Sequence, residues 1–384
     1  MGHKTMMGLK LRALCGAMLL QFCFGWMYTW PVLIWPLYAQ TGWSATQICI
    51  AFACMAVVTG VSARIGTHVV QLIGAAKACS CAATLIITGP VVAYMIGTWF
   101  AYVGCWTLVG IGVGIGLSAP QHVLRSCFQA PGDAPVVTMC LGVSFGGGCL
   151  LIVPVIHYLL ARGVWVYMLT VCACSAVVIT LAGQIMPVIR RMRMICEQAP
   201  ELSVKNAYKF AFAVGVSTGL TTIAMSSFIL VDRVEFDVSS VAVAVGMLGV
   251  TNGAGRVLWL KLTQRCGIRA GVALAVFLQA ICLAHLFCFH PQQPHTLLCC
   301  IVLGYGGLVV CAPAIFTNTF AGIKVFDGRL RGIILVCGCT VGALAVIGAA
   351  VVYDQTGSHD LWMKAYTLAC TVAGVWVTMC DEKQ

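Results

Sequence analysis

The chain has little charge. Only 9% of its 384 residues are Asp, Glu, Lys or Arg, where a soluble domain carries about a quarter. With 61% of residues hydrophobic, a water-soluble globule could not hide the apolar surface, so a soluble enzyme is excluded. Acidic residues are scarcest, 11 against 22 Lys and Arg. None falls deep in an apolar run. The runs therefore hold no carboxylate pair for acid–base work and no oxygen cage for a hard cation, which argues against a membrane enzyme, a cation pump and a metal transporter. Zinc spacing is missing too. The 23 cysteines form no paired CxxC pattern, and most lie inside apolar runs, as in Cys79-Ser80-Cys81 and Cys337-Gly338-Cys339, where they read as small packing residues. No metal and no cofactor are expected. Gly112, Gly114 and Gly116 make a Gly-x-Gly pattern, but in mid-run and after no strand, so it is not a phosphate loop.

What the chain has in abundance is long charge-free intervals: 13–63, 78–124, 134–161, 163–189, 210–231, 238–255, 270–323, 332–353 and 365–380. A membrane-spanning helix takes roughly 17–25 mostly apolar residues. The three intervals of about fifty residues hold two spans each and the other six hold one, which predicts twelve. The expected fold is an all-α polytopic membrane protein. With both termini on one face, eighteen Lys and Arg lie on that face, among them Lys10, Arg64, Arg190, Arg265 and Arg331, against Arg162, Arg233 and Lys364 on the other. This positive-inside bias makes both termini cytoplasmic. The basic excess is thereby a topology signal facing lipid head groups, and no nucleic-acid partner is implied. The first span follows a basic N-terminus but runs on through Trp26, Tyr28, Trp30 and Pro31 with no small-residue cleavage site, so it reads as a retained helix.

The longest charged stretch between spans, near Arg190–Lys209, divides the chain into an N-terminal six-helix half (1–189), a cytoplasmic linker (190–209) and a C-terminal six-helix half (210–384). A shift of 193 residues lays Gln71 on Gln264, Gly74 on Gly267, Gly114 on Gly307, Ala119 on Ala312 and Pro120 on Pro313. A small slip aligns Gly142-x-x-x-Gly146 with Gly338-x-x-x-Gly342. Halves in parallel repeat put a substrate site at the midplane between them. Gly112, Gly114 and Gly116 read as a close-packing face of the fourth span.

One permanently charged residue sits inside a predicted span. The eighth span, Val238 to Leu262, carries Asn252-Gly253-Ala254-Gly255-Arg256. An arginine near a span's centre costs roughly 2.5–3.5 kcal/mol or more and turns to a cavity or partner. Arg256 lies five residues before Lys261, so two readings stand: a side chain snorkelling to the head groups, or one facing a central cavity and holding an anion in its planar fork. His157 and His285 are intramembrane and read as packed side chains. His122 and Arg125, at the end of the fourth span, meet anions or lipid phosphate.

At these residues the chain resembles the major facilitator superfamily, in its oxalate:formate antiporter and monocarboxylate transporter branches. Tyr28-Thr29-Trp30-Pro31-Val32-Leu33-Ile34-Trp35-Pro36-Leu37 is similar to the antiporters' Tyr-Ala-Trp-Ser-Val-Phe-x-x-Pro-Leu. Gly42-Trp43-Ser44 resembles their Gly-Trp-Ser before the second helix. Asn252-Gly-Ala-Gly-Arg256 is similar to Asn-x-x-Gly-Arg, and Arg265-Cys266-Gly267-Ile268-Arg269 to the superfamily's Arg-x-Gly-x-Arg loop. The resemblance implies a major facilitator fold of two six-helix bundles, with Arg256 as carboxylate anchor and Tyr28 and Trp30 as cavity aromatics. Asn252 belongs to the same motif, and Tyr305 joins them by position. Three departures count. The lysine that oxalate carriers place in the eleventh helix falls near Gly338 or Cys339, the monocarboxylate carriers' first-helix lysine is matched by Val32, and Gln71-Leu72-Ile73-Gly74 lacks the usual Asp-Arg pair. One guanidinium balances one carboxylate. The expected function is alternating-access transport of a small organic anion, a monocarboxylate such as pyruvate, lactate or formate, with a proton or counter-anion as co-substrate. A dicarboxylate antiporter, an amino-acid or neutral-solute carrier, and a transporter-like sensor are the alternatives. A monomer in the plasma or bacterial inner membrane is expected.

Overall fold

The computed structural model describes residues 3–128, 133–188, 206–234, 238–289, 293–317 and 328–380. Most of the expected linker 190–209 lies outside them. Regular structure among the described residues is entirely helical: α1 (His3–Gly25), α2 (Trp30–Thr41), α3 (Ala45–Ile73), α4 (Ala75–Ile96), α5 (Trp99–Cys127), α6 (Asp133–Leu160), α7 (Val164–Ile185), α8 (Asn206–Val234), α9 (Val238–Phe289), α10 (Pro294–Thr317), α11 (Gly328–Thr356) and α12 (Asp360–Met379). Ten segments among the described residues are long and apolar enough to cross a bilayer. The one at Ser240–Phe289 holds two crossings, and α12, with Asp360 and Lys364, is a more polar further one. This is the twelve-helix architecture expected from the charge-free intervals.

Helices and crossings do not correspond one to one, for two local reasons. The first crossing is broken between α1 and α2 by a 3-10 turn at Trp26–Thr29. Pro31, at the start of α2, has no N–H and its ring crowds the carbonyl four residues back, so a continuous α-helix cannot pass. Thr29 repairs the break: its Oγ1 donates to the Trp26 carbonyl at 2.5 Å and lies 2.6 Å from the Tyr167 hydroxyl of α7. α9, conversely, reverses at Gly267 (φ 82°, ψ 164°) into arms 238–266 and 268–289. Gly74, between α3 and α4, has φ 84° and ψ 161°. Only glycine adopts this region readily, and the two glycines are the pair that the 193-residue shift superimposes. Gly114 and Gly307 correspond in the same way. An added Cβ would strike α3 at Thr59 and Ser62 from Gly114, and the first arm of α9 at Trp259 from Gly307.

The N-terminal bundle is α1–α7, in which α5 packs on α3, α4 and α1, and α4 on α7. The C-terminal bundle is α8–α12, in which α9 packs on α10, α12 and α8. The bundles meet along α3 with α11, α6 with α9, and α2 with α8. α8 is almost wholly buried at the centre. The outer helices instead present bare apolar side chains, Met95 and Phe100 at 79% exposure and Ile281 at 67%, a surface that only lipid can cover.

The glycines of α5 correct one expectation. Gly112, Gly114 and Gly116 form no single face. A Cβ at Gly112 would meet Ala82 of α4, at Gly114 it would meet α3, and at Gly116 it would meet Phe24 of α1. Residues two apart point about 200° away from each other on a helix of 3.6 residues per turn. The real stripe is Gly110 with Gly114, both against α3. The slipped glycine match also divides. Gly146 faces α9 across the seam, whereas Gly342 faces Leu220 inside its own bundle.

Candidate anion site at the seam

The first arm of α9 touches α6 backbone to backbone. A Cβ added to Gly253 would lie 2.5 Å from the Gly142 carbonyl, and one added to Gly146 would lie 3.1 Å from the Gly249 carbonyl. Glycines spaced by four on both helices keep this stripe bare, the arrangement by which membrane helices pack closely. Arg256 follows Gly253 by three residues and so shares its face. Its stem passes over α6, with Cβ and Cδ each 3.7 Å from the Cβ that Gly142 would carry. The guanidinium ends half-buried between the bundles, with Cζ 5.1 Å from the ring centroid of Phe145. Its Nε donates to Asn252 Oδ1 at 3.2 Å, one turn earlier on α9. Among the described residues no carboxylate comes within 4.0 Å of the guanidinium.

Asn252 is fully buried, with its carbonyl oxygen 2.4 Å from where a Cβ on Gly306 of α10 would stand. It is thus wedged between the arginine and α10. Tyr305, the neighbour of Gly306, is half-buried and packs against Gly219 of α8. The structure therefore joins Arg256 to Asn252 directly and brings Tyr305 to the adjoining α8–α10 contact. Trp30 goes elsewhere: it is fully buried against Phe52 (4.8 Å between centroids) and Trp106 (6.3 Å) in the N-terminal bundle. The side chains of Tyr28, Arg125 and His157 lie outside the described residues. His285, expected as a packed side chain, is exposed, its ring tilted 35° to that of Phe289 with the centroids 4.8 Å apart. Phe145, the ring beneath the guanidinium, was missed by sequence reasoning, because one phenylalanine in an apolar span carries no signal of its partner.

The sequence also hid a second constellation, where the bundles close at the α2–α3 end. Gly42 takes a left-handed φ of 69° to end α2. Ser44 then caps α3 with Gln47 in a reciprocal capping box, which explains the Gly-Trp-Ser segment physically. The next two amides go across the seam. Ala45 N–H and Thr46 N–H donate to the two carboxylate oxygens of Asp354, at the end of α11, at 3.0 and 2.9 Å. A carboxylate here meets the positive end of α3. Beside it the aromatic rings of Trp35 and Tyr38 from α2 meet Phe228 of α8 edge-on at 6.4 and 6.1 Å, and Phe228 packs on Tyr353 at 4.9 Å.

A family model for the Major Facilitator Superfamily matches residues 15–346. A sequence comparison with curated proteins finds no match. Solved structures with the same fold include the human organic anion transporter MFSD10, at 15% identity and a TM-score of 0.67, covering 97% of this chain and 99% of that one. A mutant of the nucleoside transporter NupG matches at 13% identity and 0.69, covering 96% and 98%. A D-xylose-proton symporter matches at 14% identity and 0.71, covering 97% of each chain.

Proposed function

The chain belongs to the major facilitator superfamily, and from that premise we propose that it carries a small organic monoanion, a monocarboxylate such as pyruvate, lactate or formate, by alternating access. That it is a membrane transporter of some solute follows from the family; the anion is our reading. The observation that carries it is Arg256, a permanent cation half-buried between the bundles with no carboxylate beside it among the described residues. An uncompensated charge at such depth is costly. With Nε engaged by Asn252, the two Nη groups remain to take a carboxylate in a planar fork. The anion neutralises the guanidinium and lowers the cost of closing the bundles over it, so the loaded state closes more readily than the empty one. One fixed cation suits one carboxylate better than two.

Three further readings accompany this one. Both termini face the cytoplasm, because eighteen Lys and Arg share their face. The halves divide at residues 1–189 and 210–384 with 190–209 as linker. A proton or counter-anion moves with the substrate. The test is uptake of labelled mono- and dicarboxylates into proteoliposomes, with and without a pH gradient. Saturable monocarboxylate uptake that Arg256→Ala abolishes is the expected result. Unchanged uptake in that variant, or uptake restricted to neutral solutes, overturns the reading.

A further inference from the structure

We propose that the cavity between α6 and α7 is a binding site for one hydrocarbon chain of a bilayer phospholipid. The cavity holds about 290 Å³. Its floor is α1, through Phe22, Cys23 and Trp26. Gly148, Leu151, Val155 and Leu159 line one wall at helical spacing along a single face of α6, and the other wall is α7 between Thr170 and Val178. Local sequence accounts for the hollow. Gly148 lies flush on α1, where a Cβ would strike the Phe22 carbonyl, so α6 brings no side chain to fill the space there. Across from it, Cys174 and Ser175 are too small to do so.

Position decides what fills it. Cys174 is the eleventh of the 22 residues of α7, and Trp26 lies in the break midway along the first crossing, Met7–Thr41. The cavity therefore sits near the centre of the hydrocarbon layer, where no head group reaches. Its mouth opens on the surface that lipid covers: Leu151 is 65% and Val155 46% exposed, and Cys174 is exposed beside them. No charged side chain lines it among the described residues, so nothing there pairs with a phosphate or an ammonium. Water is the poorer occupant, because an apolar cavity of about 150 Å³ stays dry and takes benzene instead. A chain in place restores the dispersion contacts that an open wall forfeits. Lipid tails are as apolar as leucine, so no hydrophobic gain accompanies entry, and fit alone favours the cavity over the surrounding bilayer. The chain then belongs to the wall of the transporter. It rests on Trp26, at the break of the first crossing, and on Gly148, one turn beyond the Phe145 that underlies Arg256. The cavity is there whichever solute Arg256 binds.

The test places the full-length protein in phosphatidylcholine vesicles doped with the same lipid carrying a diazirine midway along one chain. After illumination, labelled peptides are mapped by mass spectrometry. Labelling should concentrate on residues 148–159 and 170–178, above the level at Met95 and Phe100, although those two side chains are the more exposed at 79%. Cys174→Phe, which places a ring in the cavity, should remove that excess. Ser175→Leu, on the same wall, should do so if Cys174→Phe fails to insert. Cys81→Phe, at an exposed cysteine of α4 outside the cavity, should leave the excess intact. Phosphatidylglycerol in place of phosphatidylcholine should change nothing, since only the chain is held. Labelling that simply follows exposure, strongest at Met95 and Phe100, would mean annular lipid only and overturns the site. So does an excess that survives both filling variants, or one that appears with a single kind of head group.

Discussion

A guanidinium differs from an ammonium in shape more than in charge. Arg256→Lys keeps the positive charge but loses the Nε–Asn252 bond and the planar fork that would take both oxygens of the proposed carboxylate. The expected outcome is normal membrane insertion with uptake reduced about tenfold or more, the worth of one charge-assisted hydrogen bond of about 1.5–3 kcal/mol; equal uptake by lysine and arginine would mean that only charge counts here. The glycines beside it allow a matched pair. Gly253→Ala drives a methyl to 2.5 Å from the Gly142 carbonyl, whereas a Cβ on Gly147 meets nothing within 4 Å. Overpacking of this kind costs about 1–3 kcal/mol. Gly253→Ala should therefore lower the detergent melting temperature and the transport rate, and Gly147→Ala should change neither. Arg256 was legible in the sequence because a charge in an apolar run stands out by composition alone. Phe145 and Gly142, which frame it, were not, since what distinguishes them is a neighbour more than a hundred residues away.

At the scale of helices, legibility followed the physics of each signal. Charge-free intervals count crossings well because desolvating a charge dominates every other local term. They locate breaks poorly, because a break depends on one or two residues. The 3-10 turn at Trp26–Thr29 comes from Pro31 and the Thr29 hydroxyl, and no average over the span registers either. The Gly-x-Gly face of α5 failed for a simpler reason: alternate residues share a face on a strand, not on a helix. The internal shift was the sharpest guide, since Gly74 and Gly267 have the same backbone conformation within a few degrees. Alanine at either position is forced into a region nearly reserved for glycine, at about 1–3 kcal/mol. Gly74→Ala and Gly267→Ala should each lower the melting temperature by similar amounts. A much larger loss at one of them would mean that the two reversals are not equivalent.

For the whole molecule, the decisive contacts are those between the bundles, and these were the least visible beforehand because they join residues far apart in the chain, 176 positions for Cys49 and Met225 and 309 for Ala45 and Asp354. At the α2–α3 end the closure has two parts, the Asp354 carboxylate on the first amides of α3 and the aromatic packing of Trp35, Tyr38, Phe228 and Tyr353. The alternating access proposed above requires this end to open, so its contacts must be strong enough to hold one state and weak enough to release it. Rings in van der Waals contact part without leaving a charge behind. The carboxylate is different, because removing it strands two amides and abolishes the favourable charge at the positive end of a helix. Two hydrogen bonds to a charged group are worth about 1.5–3 kcal/mol each, enough to move an equilibrium between closed and open by tenfold or more. Cys49 reports on that equilibrium. It is fully buried on α3, its Sγ 3.8 Å from Met225 Sδ of α8 across the seam. In Asp354→Ala, labelling of Cys49 by a membrane-impermeant maleimide, read peptide by peptide in a mass spectrometer because other thiols are present, should rise at least about tenfold over the parent protein. Asp354→Asn, which keeps one acceptor but no charge, should fall between them. Labelling unchanged in both variants would mean that the rings alone hold this end closed, and that the carboxylate merely caps a helix that happens to lie across the seam.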